Sequence, residues 1–263
     1  MKKHPLFWFY ALAFGLAWLG WLPSVLASRG VAALAHPAFG VLLLLPAVGP
    51  ALAAGIVTRA AHGREGLARL FGALAAWRVH PLWYGMAVGA PAALLLAAQY
   101  LTRVLALPAP PAFTGEPLPV VMSALVMSAL ANPWEEVGWR GFALPRWQAR
   151  FTALQASLVV GILWGVWHLP LFFWVGNPMS TYPFLPWLAG TAALAVLYTW
   201  LYNSTQGSLL PVTLFHVALN TWGVLITGVS TLALSGVHVL AAALLVLVFG
   251  GAHLTRQPRI QIT

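Results

Sequence analysis

Eight runs of apolar residues, each near the ~20 needed to cross the hydrocarbon core of a bilayer, leave this chain few ways to fold. They lie at about 5–27, 38–58, 81–102, 117–138, 153–174, 186–203, 209–228 and 233–252. The expected fold is all-α: a polytopic membrane protein of about eight transmembrane helices around an internal polar cavity. It forms a single integral membrane domain over 1–263, because no stretch has the make-up of a separate soluble unit. With 61% hydrophobic and 6% charged residues, the composition is far from that of soluble globular chains. The first run follows Lys2 and Lys3 and could pass for a cleavable signal. It is longer than the ~7–15 apolar residues of such a signal, so an uncleaved helix is expected.

The net charge of +9 does not point to nucleic acid. Lys and Arg are spread thinly at the ends of apolar runs, as membrane topology requires, rather than gathered into a basic patch. With both termini cytoplasmic, the inner side receives Lys2, Lys3, Arg59, Arg64, Arg69, Arg78, Arg146, Arg150, Arg256 and Arg259, and the outer side only Arg29 and Arg103. The expected location is therefore a bacterial-type inner or plasma membrane, with an even number of spans. Between the second and third runs, residues 59–80 carry arginines among leucines and alanines, which suits an amphipathic linker on the inner leaflet. Gly85-x-x-x-Gly89 and Gly161-x-x-x-Gly165 have the spacing of close helix packing. No cysteine is present, which excludes disulfides, thiolate catalysis and cysteine-based zinc sites.

Acid is almost absent. There is no aspartate, and the four glutamates are Glu65, Glu116, Glu135 and Glu136. The last two are adjacent in Asn132-Pro-Trp-Glu-Glu-Val-Gly-Trp-Arg-Gly-Phe142, at the end of the fourth apolar run. Ionisable groups at bilayer depth are costly and point by default to function. Glu136 and Arg140 have the favourable Glu-first i,i+4 order and are expected to form a structural ion pair. Glu135 projects about 100° away on the helical wheel and has no partner on its own helix. It can serve as a general base, or merely hydrogen-bond another helix.

Of the eight histidines, His4, His36, His62, His80 and His253 fall at run ends or in loops, and His238 lies early in the last run, near the interface. His168 and His216 fall well inside apolar runs. His168 is followed by Pro170, whose missing N–H frees a carbonyl and lets the helix bend around a cavity. His216 and Asn220, four residues apart, share one helix face. A lone intramembrane histidine is usually a packing residue that bonds across helices. Two of them with an aligned asparagine and a Glu-Glu-x-x-x-Arg are harder to treat as unrelated. Other chemistries lack their residues: there is no His-Glu-x-x-His, no Gly-x-Ser-x-Gly, no phosphate loop and no aspartate for a triad or aspartyl dyad.

Glu135-Glu136-x-x-x-Arg140, Trp164-x-x-x-His168 and His216-x-x-x-Asn220 together resemble the three motifs of the CPBP intramembrane proteases. That family includes the Rce1-type CAAX prenyl endopeptidases and many bacterial Abi or bacteriocin self-immunity proteins. The resemblance covers about 117–225. Trp164 stands where phenylalanine is usual, which keeps aromatic bulk. The resemblance implies an endopeptidase cleaving a peptide bond near the inner leaflet, with Glu135 and His168 activating water. His216 and Asn220 would stabilise the oxyanion, and Glu136–Arg140 would brace the site. No cofactor is expected, since Asn220 suits hydrogen-bond donation better than zinc ligation. The alternative is zinc held by Glu135, His168 and His216. The expected partners are a peptide or membrane-protein substrate and the lipid bilayer. Two rival readings remain: a catalytically silent immunity or partner-binding protein with the same polar cluster, and a transporter using these charges for ion movement.

Overall fold

The computed structural model describes residues 2–110 and 117–257. Glu116, Arg259 and part of the Pro-rich connection before α4 lie outside them. Among the described residues all regular structure is helical. The α-helices are α1 Pro5–Ser28, α2 Leu44–Gly72, α3 Leu82–Val104, α4 Pro117–Glu136, α5 Leu144–Gln148, α6 Ala153–Trp167, α7 Phe184–Ser204, α8 Leu209–Leu225 and α9 Thr231–Phe249. A helix stands at each of the eight expected places, and α5 is a short continuation of α4 through a π-helical segment, Val137–Ala143. Large apolar side chains point outward, such as Leu19, Leu130 and Leu247 at 62%, 65% and 80% exposure. In water this would be an aggregation surface. In lipid it is the ordinary outer face of a helix bundle.

The helices at the eight expected places differ in apolar length. Among the described residues, six helical segments are both long and apolar enough to cross a membrane. The two expected spans outside that set are α4 and the 17-residue α8. They carry the Glu135–Glu136 pair and the His216–Asn220 pair respectively. Helix α8 is apolar but short, and α4 ends in the charged Glu135–Glu136 pair. Helix α8 compensates by position, packing against α3, α4 and α7.

The second span differs as well. It begins with a 3-10 turn, Pro37–Leu43, and α2 then runs on into the region expected as a linker. At Gly63 the backbone adopts φ 66° and ψ −154°, a conformation that a side chain would strain. The chain reverses there, because Leu67 and Phe71 come to lie beside Gly55 of the same helix. Residues 64–72 are amphipathic as expected: Arg64 and Arg69 are exposed while Gly66 and Leu70 are buried.

Close approach of helices fixes the frame around the site. At Gly138 an added Cβ would sit 2.5 Å from the Pro50 Cβ and 2.9 Å from its carbonyl, so α2 touches the π segment backbone to backbone. At Gly161 a Cβ would meet Ala192 Cα and Ala195 Cβ at 2.7 Å, which brings α6 onto α7. The Gly161/Gly165 spacing therefore marks a packing seam. Gly85 and Gly89 do not, since a Cβ at either would meet nothing within 4 Å.

Candidate active site

The site begins where α4 stops being an α-helix. A π segment widens the turn and re-aims side chains, and such segments are frequent at functional sites. Here it starts one residue after Glu136 and contains Arg140. Glu136 and Arg140 are both 0% exposed, and Arg140 Nη1 donates to Glu136 Oε1 at 3.2 Å. The same oxygen accepts from His216 Nδ1 at 2.8 Å, so Glu136 joins α4 to α8 as well as holding Arg140. The guanidinium carbon lies 4.4 Å from the Trp164 ring centre and 4.1 Å from that of Tyr198. Two aromatic faces thus take up charge that one carboxylate oxygen does not cover.

Trp164 links this buried group to the other glutamate. Its indole N–H donates to Glu135 Oε2 at 3.1 Å. The sequence showed this residue only as an aromatic replacing phenylalanine, yet phenylalanine has no N–H to give. Glu135 is also within electrostatic reach of His216, Glu136 and Arg140. Helix α6 ends at Trp167, and His168 is its C-cap, followed by a 3-10 turn Leu169–Phe173 through Pro170. Its Nδ1 lies 2.8 Å from the Trp164 carbonyl oxygen. An oxygen acceptor requires Nδ1 to carry the proton, so in the neutral ring Nε2 presents a lone pair. Rings of Trp21, Trp167 and Trp187 surround the imidazole, with centres 6.2, 4.7 and 5.5 Å away.

A cavity of about 470 Å³ is lined by Trp164, His168, His216 and Asn220. Three of the four residues expected to act in catalysis therefore line one space, although they come from α6 and α8. Glu135 is not among its lining residues; it is held beside them by the Trp164 N–H. Sequence reasoning missed His238. Expected near the interface, it is 5% exposed and lines the same cavity across from α8, next to Ser235. The missing signal was the i,i+3 pairing of Ser235 and His238, two polar residues on one face of an otherwise apolar helix.

Among the described residues, no three His, Cys, Asp or Glu side chains are grouped so that they could hold a metal ion. The Nδ1 atoms of both histidines are engaged, by a carbonyl and by a carboxylate, which leaves Nε2 of each unengaged.

The fold and site define a class: a polytopic all-α membrane protein with a buried Glu–Arg–His group beside a cavity that carries a second histidine and an asparagine. Within it, residues 117–222 match the model of the family described as type II CAAX prenyl endopeptidase Rce1-like. Over 132 residues the chain is 31% identical to the CAAX prenyl protease 2 of Methanococcus maripaludis, covering 47% of this chain and 48% of that protein. The chain thus spans about half the length of the curated relative it matches. The matched segment begins at the first residue of α4 and ends two residues after Asn220, close to the 117–225 core expected from the motifs.

Proposed function

We propose that this chain is a membrane endopeptidase that hydrolyses a peptide bond of a membrane-borne peptide or protein in the cavity between α6, α7, α8 and α9. The observation that carries this reading is the different anchoring of the two histidines. His168 gives its Nδ1 proton to a backbone carbonyl, so Nε2 can receive a proton from water. His216 gives its Nδ1 proton to the Glu136 carboxylate. We propose that this ring works as an imidazolium, whose Nε2 also donates. One imidazole thus takes a proton while the other, with the Asn220 amide, donates to the oxyanion.

In the proposed reaction Glu135, oriented by Trp164, takes a proton from the attacking water together with His168. The water oxygen bonds to the carbonyl carbon, and the carbonyl oxygen becomes the oxyanion facing His216 and Asn220. Collapse breaks the C–N bond, and the proton taken from water passes to the leaving amine. No metal takes part. The termini lie on the cytoplasmic side by the distribution of basic residues.

The test is purified protein in proteoliposomes against a peptide library, with products read by mass spectrometry. Cleavage by the wild type is expected; absence of any product would favour the silent immunity or partner-binding reading. Three predictions belong here. Asn220→Ala is expected to slow turnover by ~10²–10³, the usual cost of one oxyanion donor, with little change in KM because the contact forms mainly in the transition state. Dialysis against EDTA or phenanthroline should leave the rate unchanged. Zinc-restorable loss would make Glu135, His168 and His216 ligands and overturn the metal-free mechanism. Trp164→Phe keeps the aromatic ring but removes the donor to Glu135. Hydrogen bonds to charged groups contribute roughly 1.5–3 kcal/mol, so kcat should fall about tenfold or more while folded yield is kept. A wild-type kcat in this variant would show that the indole N–H does not position Glu135.

A further inference from the structure

The cavity has a direction. One end holds His168, His216 and Asn220, and the other reaches Pro110, Met179, Tyr182 and Val229. Those four lie in the α3–α4, α6–α7 and α8–α9 connections, which helix direction places on one face of the bundle. The opposite face is shut beneath the site. Val137, Trp139, Arg140, Phe142, Ala143 and Leu144 are all 0% exposed. Two recesses lie towards that face, one between residues 72–79 and 205–208 and one between α2 and Trp134 of α4, and none of the site side chains lines either. The basic residues gather on that closed face: Arg64, Arg69, Arg78, Arg146, Arg150 and Arg256 flank connections there, while the open face has Arg29 and Arg103. Basic connections stay on the cytoplasmic side.

We infer that the cavity opens to the extracytoplasmic side, so that, on the reading proposed above, its substrates are apolar peptide segments outside the cytoplasm: exported peptides, or membrane-protein segments presented at the outer face. This reverses the expected site near the inner leaflet. It also separates the chain from any substrate whose cleavable end lies in the cytoplasm. A peptide entering through the mouth passes Tyr182 and Trp187 before reaching His168, and no Lys or Arg lines the route among the described residues. An apolar, uncharged segment is what such a passage admits.

The absence of cysteine allows a direct test that needs no hydrolysis. Three single-cysteine chains are placed in right-side-out vesicles and treated with a membrane-impermeant methanethiosulfonate. Ser180→Cys reports the mouth, Ala76→Cys the closed face, and Gly223→Cys the cavity wall, where an added Cβ meets nothing within 4 Å. The Ser180 and Gly223 variants are expected to label fully in intact vesicles, and the Ala76 variant only after permeabilisation. Should the Gly223 variant express poorly, Leu219→Cys on the same wall replaces it. Labelling of the cavity position only after permeabilisation overturns the inference, as does its failure to label from either side. Labelling of Ala76→Cys in intact vesicles would mean that the orientation is inverted and that the cavity faces the cytoplasm. A chain that labels as expected but cleaves no peptide would leave the access route standing and remove the protease reading instead.

Discussion

Glu135→Gln should abolish peptide hydrolysis, by at least ~10²–10⁴, the range a positioned general base supplies, without loss of folded protein. The substitution keeps volume, and the amide oxygen can still accept from the Trp164 indole that now holds Oε2 at 3.1 Å. What disappears is the capacity to take a proton from water. The matched measurement is product formation in proteoliposomes beside yield and monodispersity on size-exclusion. Turnover within tenfold of wild type would transfer the role of base to His168 alone, whose Nε2 is left free by the bond from Nδ1 to the Trp164 carbonyl. Loss of folded yield would mean that Glu135, and not only Glu136, is structural.

The two adjacent glutamates show how far sequence reasoning reaches. Their roles could be separated because α-helical spacing sets Glu136 against Arg140 and turns Glu135 away, and the 3.2 Å contact at 0% exposure of Glu136 has that geometry. The periodicity of one helix says nothing about a neighbour, however, so the bond from His216 to Glu136 was not legible. The indole N–H on Glu135 was hidden for the same reason. Eight helix positions were legible from apolar length alone. The π segment was not, because Val137–Ala143 has no composition that differs from a helix end. Nor was the reversal at Gly63, an isolated glycine in a helical pattern whose positive φ only the folded chain reveals. Small-residue spacing identified one packing seam correctly, at Gly161, and named another, at Gly85, that packs against nothing.

Removing either member of the buried pair should cost far more in stability than any change at Glu135. Glu136→Ala leaves the Arg140 guanidinium with no hydrogen-bonded carboxylate among the described residues, between the faces of Trp164 and Tyr198. Arg140→Ala leaves the Glu136 carboxylate with His216 as its remaining hydrogen-bond partner among the described residues. Either strands a charge in low dielectric, a loss of roughly 3–5 kcal/mol. The readout is the temperature at which the detergent-solubilised protein loses its monodisperse size-exclusion peak. Arg140→Lys should fall close to the alanine variant, because a compact ammonium cannot lie flat between two rings as a planar guanidinium does. The double change Glu136→Met with Arg140→Leu separates bracing from stability. Replacing a buried pair by apolar side chains of similar size is often neutral, so its melting temperature should exceed that of both single variants. It should still be inactive, since Trp164 would no longer be pinned above the guanidinium nor His216 against the carboxylate. Wild-type melting in both single variants would show that the pair does not hold the fold, and an active double variant would show that it does not hold the site.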